Sequence, residues 1–187
     1  MTVNTANNAL APRVAGPVPA SKQAEPAQYL TFMLSGETFA IGILAIKEII
    51  EYHALTTVPM MPECVRGVIN LRGAVVPVMD LQARFGRPSS PVTKRTCIVI
   101  VEVHSAGAGE PDSQVIGVLV DVVNEVLEIG PEDIEPPPAF GARIRTDFMQ
   151  GMGRVKGRFV ILLDVNQVFS LDDIAQLSAL VPEVPVA

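Results

Sequence analysis

Tryptophan is absent from this chain of 187 residues, aromatic side chains make up 5% of it, and 14 Lys and Arg are outnumbered by 20 Asp and Glu. A nucleic-acid surface wants basic stripes and rings that stack on bases, so the net charge of -6 sets that class aside. Cysteine is scarce as well. Cys64 and Cys97 make neither a disulfide framework nor a CxxC pair, and they read as buried, reduced thiols of a cytosolic protein. No apolar run approaches the about 18 residues of a membrane span, and the amino-terminal stretch lacks a compact apolar segment of signal-peptide type. A cytoplasmic protein without membrane insertion is the expectation.

Catalytic groups are few. His53 and His104 have no ligand-spaced neighbour that would make a metal site. Cys64, His53 and Asp80 supply the residue types of a thiol triad, but no motif fixes their geometry. Gly151-Met152-Gly153 leads into a strand pattern, whereas a phosphate loop leads into a helix. Glu132, Asp133 and Glu135 read as a solvated turn. The sequence therefore points away from an enzyme and calls for no cofactor and no metal.

What is present is β-structure. Gly67 to Leu81 reads as two short apolar strands folded over an Arg72-Gly73 corner, with a charged fork at the tip of a greasy hairpin. Residues 1–27, with Pro12, Pro17, Pro19 and Pro26, have no periodicity and are expected to be a disordered tail. Tyr29 to Ile41 predicts a hairpin with a three-residue loop, Ser35 to Glu37. A brief turn at Ile43 to Ala45 and a strand from Ile46 to Tyr52 follow. Asp80 is placed to cap a short helix, Leu81 to Phe85, which Gly86 ends. Thr96 to Val103 predicts a strand, Ser105 to Gln114 a polar loop, and Val115 to Ile129 more strand. Pro136-Pro137-Pro138 opens a surface connection. Met149 to Phe169 predicts a hairpin and a second capped helix, and beyond Leu171 lie a weak helical stretch and a frayed end.

The chain repeats itself. Phe39-Ala40-Ile41 superposes on Ile116-Gly117-Val118, after which Ile46 meets Val123, Glu48 meets Glu125, Ile49 meets Val126 and Glu51 meets Glu128. One shift later, Gly67 meets Gly151, Arg72 meets Lys156, Gly73 meets Gly157, Asp80 meets Asp164 and Phe85 meets Phe169. Apolar alternation alone would not reproduce two glycines, a corner cation and a capping Asp in one register. The implied fold is all-β: two related units, residues 28–93 and 94–170, each closed into a small barrel because closure removes sheet edges. Whether the units exchange strands is left open. An apolar groove where they meet is a natural place for a partner, with ordinary core as the competing account of the many Val and Ile.

Several of these runs together resemble the CheW-type chemotaxis coupling proteins. They are Phe39-Ala40-Ile41 with Lys47-Glu48-Ile49, Arg66-Gly67-Val68-Ile69-Asn70-Leu71-Arg72-Gly73, Val76-Pro77-Val78 with Asp80-Leu81, and Ile116-Gly117-Val118 with Gly151-Met152-Gly153. The resemblance runs from about Tyr29 to Phe169. It implies two five-stranded SH3-like barrels and an adaptor joining the cytoplasmic tips of methyl-accepting chemotaxis receptors to the regulatory domain of the histidine kinase CheA. A chain that is monomeric alone and forms rings with the kinase is implied too. Carried onto matching positions, the family's receptor contacts suggest Ile46, Glu48, Arg72, Val123 and Val126, with Glu48 and Arg72 able to pair. Its kinase contacts suggest Arg66, Gly67, Asn70 and Gly151. A related scaffold serving another chemosensory kinase pathway, such as surface motility, is the alternative.

Overall fold

The computed structural model describes residues 25–104, 113–139 and 144–170. The expectations for residues 1–24, for most of the 105–114 loop and for everything from 171 onward lie outside these residues. The first half supplies β1 (Ala27–Leu34), β2 (Glu37–Gly42), a 3-10 turn (Ile43–Ala45), β3 (Ile46–Glu51), β4 (Val65–Leu71), β5 (Ala74–Asp80) and helix α1 (Leu81–Arg84). The second supplies β6 (Cys97–His104), β7 (Ser113–Val120), β8 (Val122–Ile129), β9 (Ile134–Glu135), β10 (Met149–Val155), β11 (Arg158–Leu163) and helix α2 (Val165–Val168).

Strands from the two halves are interleaved. One sheet runs β8-β1-β2-β11-β10-β9, the other β3-β6-β7-β5-β4, so each draws strands from both halves. The seams are parallel pairings, β2 with β11 and β5 with β7, inside otherwise antiparallel sheets. Their registers obey the sequence repeat: Leu162 faces Ala40 as Val78 faces Gly117. Irregularities repeat too, between Val65 and Gly67 in β4 and between Met149 and Gly151 in β10. The strand counts, six and five, differ from two equal sets of five because β9 pairs with β10 as a short strand. Its counterpart on β4 is a single bridge from Thr56 to Val68.

Interleaving explains the density of β-branched residues. β6 turns Ile98 and Ile100 into a core inside one sheet and Val99, Val101 and Val103 into the largest core, which both sheets share. A strand buried on both faces reads as a continuous apolar run rather than an alternation. β1 and β2 add Phe32 and Phe39 to the shared core, and Tyr29 and Ala40 to a third core inside the other sheet. Phe32, Phe39, Phe85 and Phe148 form a file through the centre with ring centroids 5.7–6.2 Å apart. The few aromatics are concentrated where the sheets meet.

Local chemistry fixes the ends of the elements. Asp80 Oδ1 accepts from the Gln82 and Ala83 amides at 2.9 and 3.4 Å, and Asp164 Oδ1 does the same for Asn166 and Gln167 at 3.0 and 3.3 Å. The Arg84 Nε donates to the Val168 carbonyl at 2.8 Å, tying α1 to α2. Buried Gln82 donates through Nε2 to the hydroxyls of Ser35 and Ser90, and Asp121 accepts from the Ser90 hydroxyl and the Ser35 amide. At the repeated position, Asn166 Oδ1 accepts from the His104 amide at 2.9 Å.

Three expectations are corrected. The first hairpin has a two-residue turn, since Leu34 already faces Glu37. Ser35 and Gly36 take φ of 48° and 80°, and Arg72-Gly73 and Lys156-Gly157 do likewise. Positive φ at both central residues matches the right-handed twist of paired strands, which favours the shorter turn. Ser113 and Gln114, read as loop, begin β7 because β6 extends far enough to pair with them. Ala27, expected in the tail, begins β1 and pairs with Ile129.

Gly67 is needed because a Cβ there would lie 2.6 Å from the Thr56 carbonyl oxygen, at a φ of +151°. At Gly151 the same atom would meet the Glu135 carbonyl oxygen and Ile134 Cγ2, both at 2.8 Å. Gly73, with φ +88°, has open space around its missing Cβ. Gly67→Ala should therefore cost about 2–4 kcal/mol of stability through clash and strain, and Gly73→Ala only about 1 kcal/mol. Urea unfolding of the two variants checks the order.

Candidate docking surfaces

Glu48 stands on β3 and Arg72 at the β4–β5 corner, strands at opposite edges of the five-stranded sheet. Even so, Arg72 Nη2 donates to Glu48 Oε2 at 2.9 Å. The sheet is curled enough for its two edges to share an ion pair. Arg72 is held out by its turn, with its side chain 78% exposed, while that of Glu48 is 26% exposed. Asn70 Oδ1 accepts from the Gly73 amide at 2.9 Å and braces this corner.

Arg66 has an inward duty. Its Nη1 lies 3.1 Å from Oδ2 of Asp80, whose side chain is 3% exposed and whose other oxygen caps α1. Gly67 and Gly151 are buried beneath the Thr56 segment and β9, so packing within this chain accounts for both glycines. Among the residues suggested as kinase contacts, Asn70 is exposed and Arg66 half-buried.

Ile46 and Val123, equivalent positions of the repeat, are half-buried and both pack against the rim of the shared core. Val126 points outward on β8 and is 47% exposed, as is its equivalent Ile49 on β3, at 42%. Thus the structure pairs Glu48 with Arg72 and puts Ile46 and Val123 at matching places on one core, while Val126 lies on the outer side of an edge strand.

Sequence reasoning missed a second surface. An open cleft of about 690 Å³ is walled by Tyr29, Ile41, Ile43, Leu44, Leu163 and Val165, and none of the five expected groove residues lines it. Leu44, on the 3-10 turn, is 99% exposed. The available signal was Ile43-Leu44 directly after Gly42, two large apolar residues where a turn ordinarily carries polar ones. A repeated pair, Val75 on β5 and Phe159 on β11, is also exposed.

Several polar groups among the described residues hold the fold together. Asp80 and Asp164 cap the starts of helices, Asn70 fixes a turn, Arg66 holds Asp80, and Gln82 ties together a turn and a loop. Burial, and then the carboxylate of Glu51, push the Cys97 thiol up from its ordinary value, which suits a packed thiol better than a nucleophile. Among the described residues no group of His, Cys, Asp and Glu could hold a metal ion, and no helix is long and apolar enough to cross a membrane. Surfaces arranged around such a frame define a docking module, a class that works by binding.

Comparison with known proteins gives that class its family. The profile of the CheW-like domain matches residues 28–173. Chemotaxis protein CheW of Klebsiella aerogenes is 30% identical over 79% of this chain and 84% of its own length. Chemotaxis protein CheW of Rhizobium meliloti is 32% identical over 78% and 89%. The crystal structure of the scaffolding protein TtCheW from Thermoanaerobacter tengcongensis superposes with a TM-score of 0.68 at 32% identity, covering 79% of this chain and 90% of that one. The chain belongs to the CheW-like domain family, and its function is the family's, that of a non-catalytic chemotaxis adaptor coupling receptors to the kinase CheA.

The two arginines should separate in a stability measurement. Arg66→Ala strips a buried carboxylate of its partner and should cost about 1–3 kcal/mol. Arg72→Ala breaks an exposed pair worth at most about 1 kcal/mol. Denaturant titration of both variants tests the contrast. In the same protein, Cys97 should alkylate more slowly than a free thiol at mildly alkaline pH, as mass spectrometry of iodoacetamide-treated protein would show.

Proposed function

We propose that coupling is carried by the curled five-stranded sheet and the rim of the shared core beside it. On this reading each sheet is a small SH3-like barrel. The residues of both edges that meet in one core, Ile50 of β3 with Ile69 of β4, and Leu127 of β8 with Ile134 of β9, support closure. The receptor's cytoplasmic tip, a helical hairpin, lays an apolar stripe along Ile46 and Val123, with Val126 at the margin and Glu48 and Arg72 fixing its register. An amphipathic helix in an apolar groove takes its affinity from the floor and its orientation from charges at the edge.

The kinase's regulatory domain docks at the ends of the barrels, near Arg66, Asn70 and the strands that lie over Gly67 and Gly151. The glycines act there indirectly, by letting Thr56 and β9 sit flush on β4 and β10. The adaptor is a monomer by itself and joins the kinase head-to-tail, in a contact that closes into rings at the inner face of the membrane. Avidity in such an array lets individually weak contacts suffice.

The observation carrying the proposal is the Glu48–Arg72 pair, which adds little to the fold yet is presented where the two edges of the curled sheet meet, with the Arg72 side chain exposed. Arg72→Ala is expected to keep the parent's melting temperature within a few degrees and to lose receptor-dependent stimulation of the kinase in a reconstituted array. A variant that melts far below the parent while still co-sedimenting with receptor and kinase would make Arg72 structural and overturn the assignment.

A further inference from the structure

The cleft beside the 3-10 turn takes no part in the proposed receptor surface, and it leaves Leu44 wholly uncovered. A side chain of that size at 99% exposure, continuous with Ile43 and an apolar hollow, marks a surface that another segment covers. The chain itself points to which. Pro26 and Ala27 form part of the cleft wall, so residues 1–24 begin at its rim and need no linker to reach it.

Composition and charge agree. Residues 1–24 carry Arg13 and Lys22 and no acidic residue, and Pro12, Pro17 and Pro19 are interspersed with Val14 and Val18. The charged residues lining the cleft are Glu128 and Asp164, both acidic. The segment beyond Ser170 is the wrong sign, with Asp172, Asp173 and Glu183 and no cation. A proline-rich stretch is disposed to an extended conformation, loses little entropy when it docks, and brings fewer backbone N–H groups that would need partners.

We propose that residues 1–24 fold back in extended form over this cleft, their apolar residues against Ile43, Leu44 and Val165 and their cations toward Glu128. Attachment at the rim gives the segment an effective concentration on the order of millimolar, so weak contacts hold it in place.

The test uses the full chain with Cys64→Ala and Cys97→Ala, a nitroxide on Ala20→Cys or, in a second preparation, on Ala15→Cys, and methyl NMR of Ile, Leu and Val. Paramagnetic broadening should remove most of the intensity of the Ile43, Leu44 and Val165 methyls while Ile49 and Val75 keep theirs. Arg13→Glu with Lys22→Glu should restore much of what was lost. Absent or uniform broadening overturns the proposal. So does broadening that appears only when labelled chain is mixed with separately methyl-labelled chain, which assigns the cleft to a second copy. A label at Leu180→Cys that bleaches the cleft methyls would give it to the other end of the chain.

Discussion

Backbone hydrogen bonding between the two halves is the constraint on which the rest depends. β2 must lie parallel to β11 and β5 parallel to β7 before either sheet is complete, and neither partner is supplied by its own half. Parallel neighbours demand long connections: α1, a loop and β6 of the same sheet lie between β5 and β7, and strands of both sheets lie between β2 and β11. Once the seams form, Val99, Val101, Ile116 and Val118 have no choice but to face Phe32, Phe39 and Ile41 across a common interior. The largest core is thus a product of the exchange rather than of either sheet alone.

That arrangement also distributes polar residues. Helices α1 and α2 are short and sit beside the seams, each started by an N-capping Asp whose amide donates to a carbonyl two strands away in sequence, Cys64 for Asp80 and Phe148 for Asp164. Gln82 and Asn166 then reach from equivalent helix positions to the far ends of β1 and β6. Polar side chains hold the two repeats in register while the edge strands β3 and β8, which need no second neighbour in the fold, keep Ile49 and Val126 in solvent. Binding surfaces fall where the folding requirement is weakest.

Much of this was written locally in the chain. Asp80 before Leu81, Gly86 after Phe85, and Arg72-Gly73 between β-branched runs announce a cap, a stop and a corner by short-range chemistry, and each is found in the structure. The repeat was legible because glycines, cations and caps recur in one register. The pairing of strands was not, because the hydrophobic pattern of β7 is equally satisfied by any neighbour that buries both its faces. Gly67 and Gly151 were visible as glycines, but their reason, a carbonyl lying on each, depends on segments distant in sequence. Glu48 and Arg72 were brought together by resemblance; the curl that joins two sheet edges is not encoded in either residue. The cleft at Leu44 escaped because its walls come from five separate stretches of the chain.

Exchange of strands has a consequence for what a cut would do. The stretch from Arg87 to Thr96 has no strand or helix and crosses from one repeat to the next. A protease acting there would not release two independent domains, since each piece keeps only some of the strands of either sheet. The pieces are complementary fragments of one cooperative unit. Held together by four rows of cross-half hydrogen bonds, they would migrate as one particle until denatured, and neither would refold without the other.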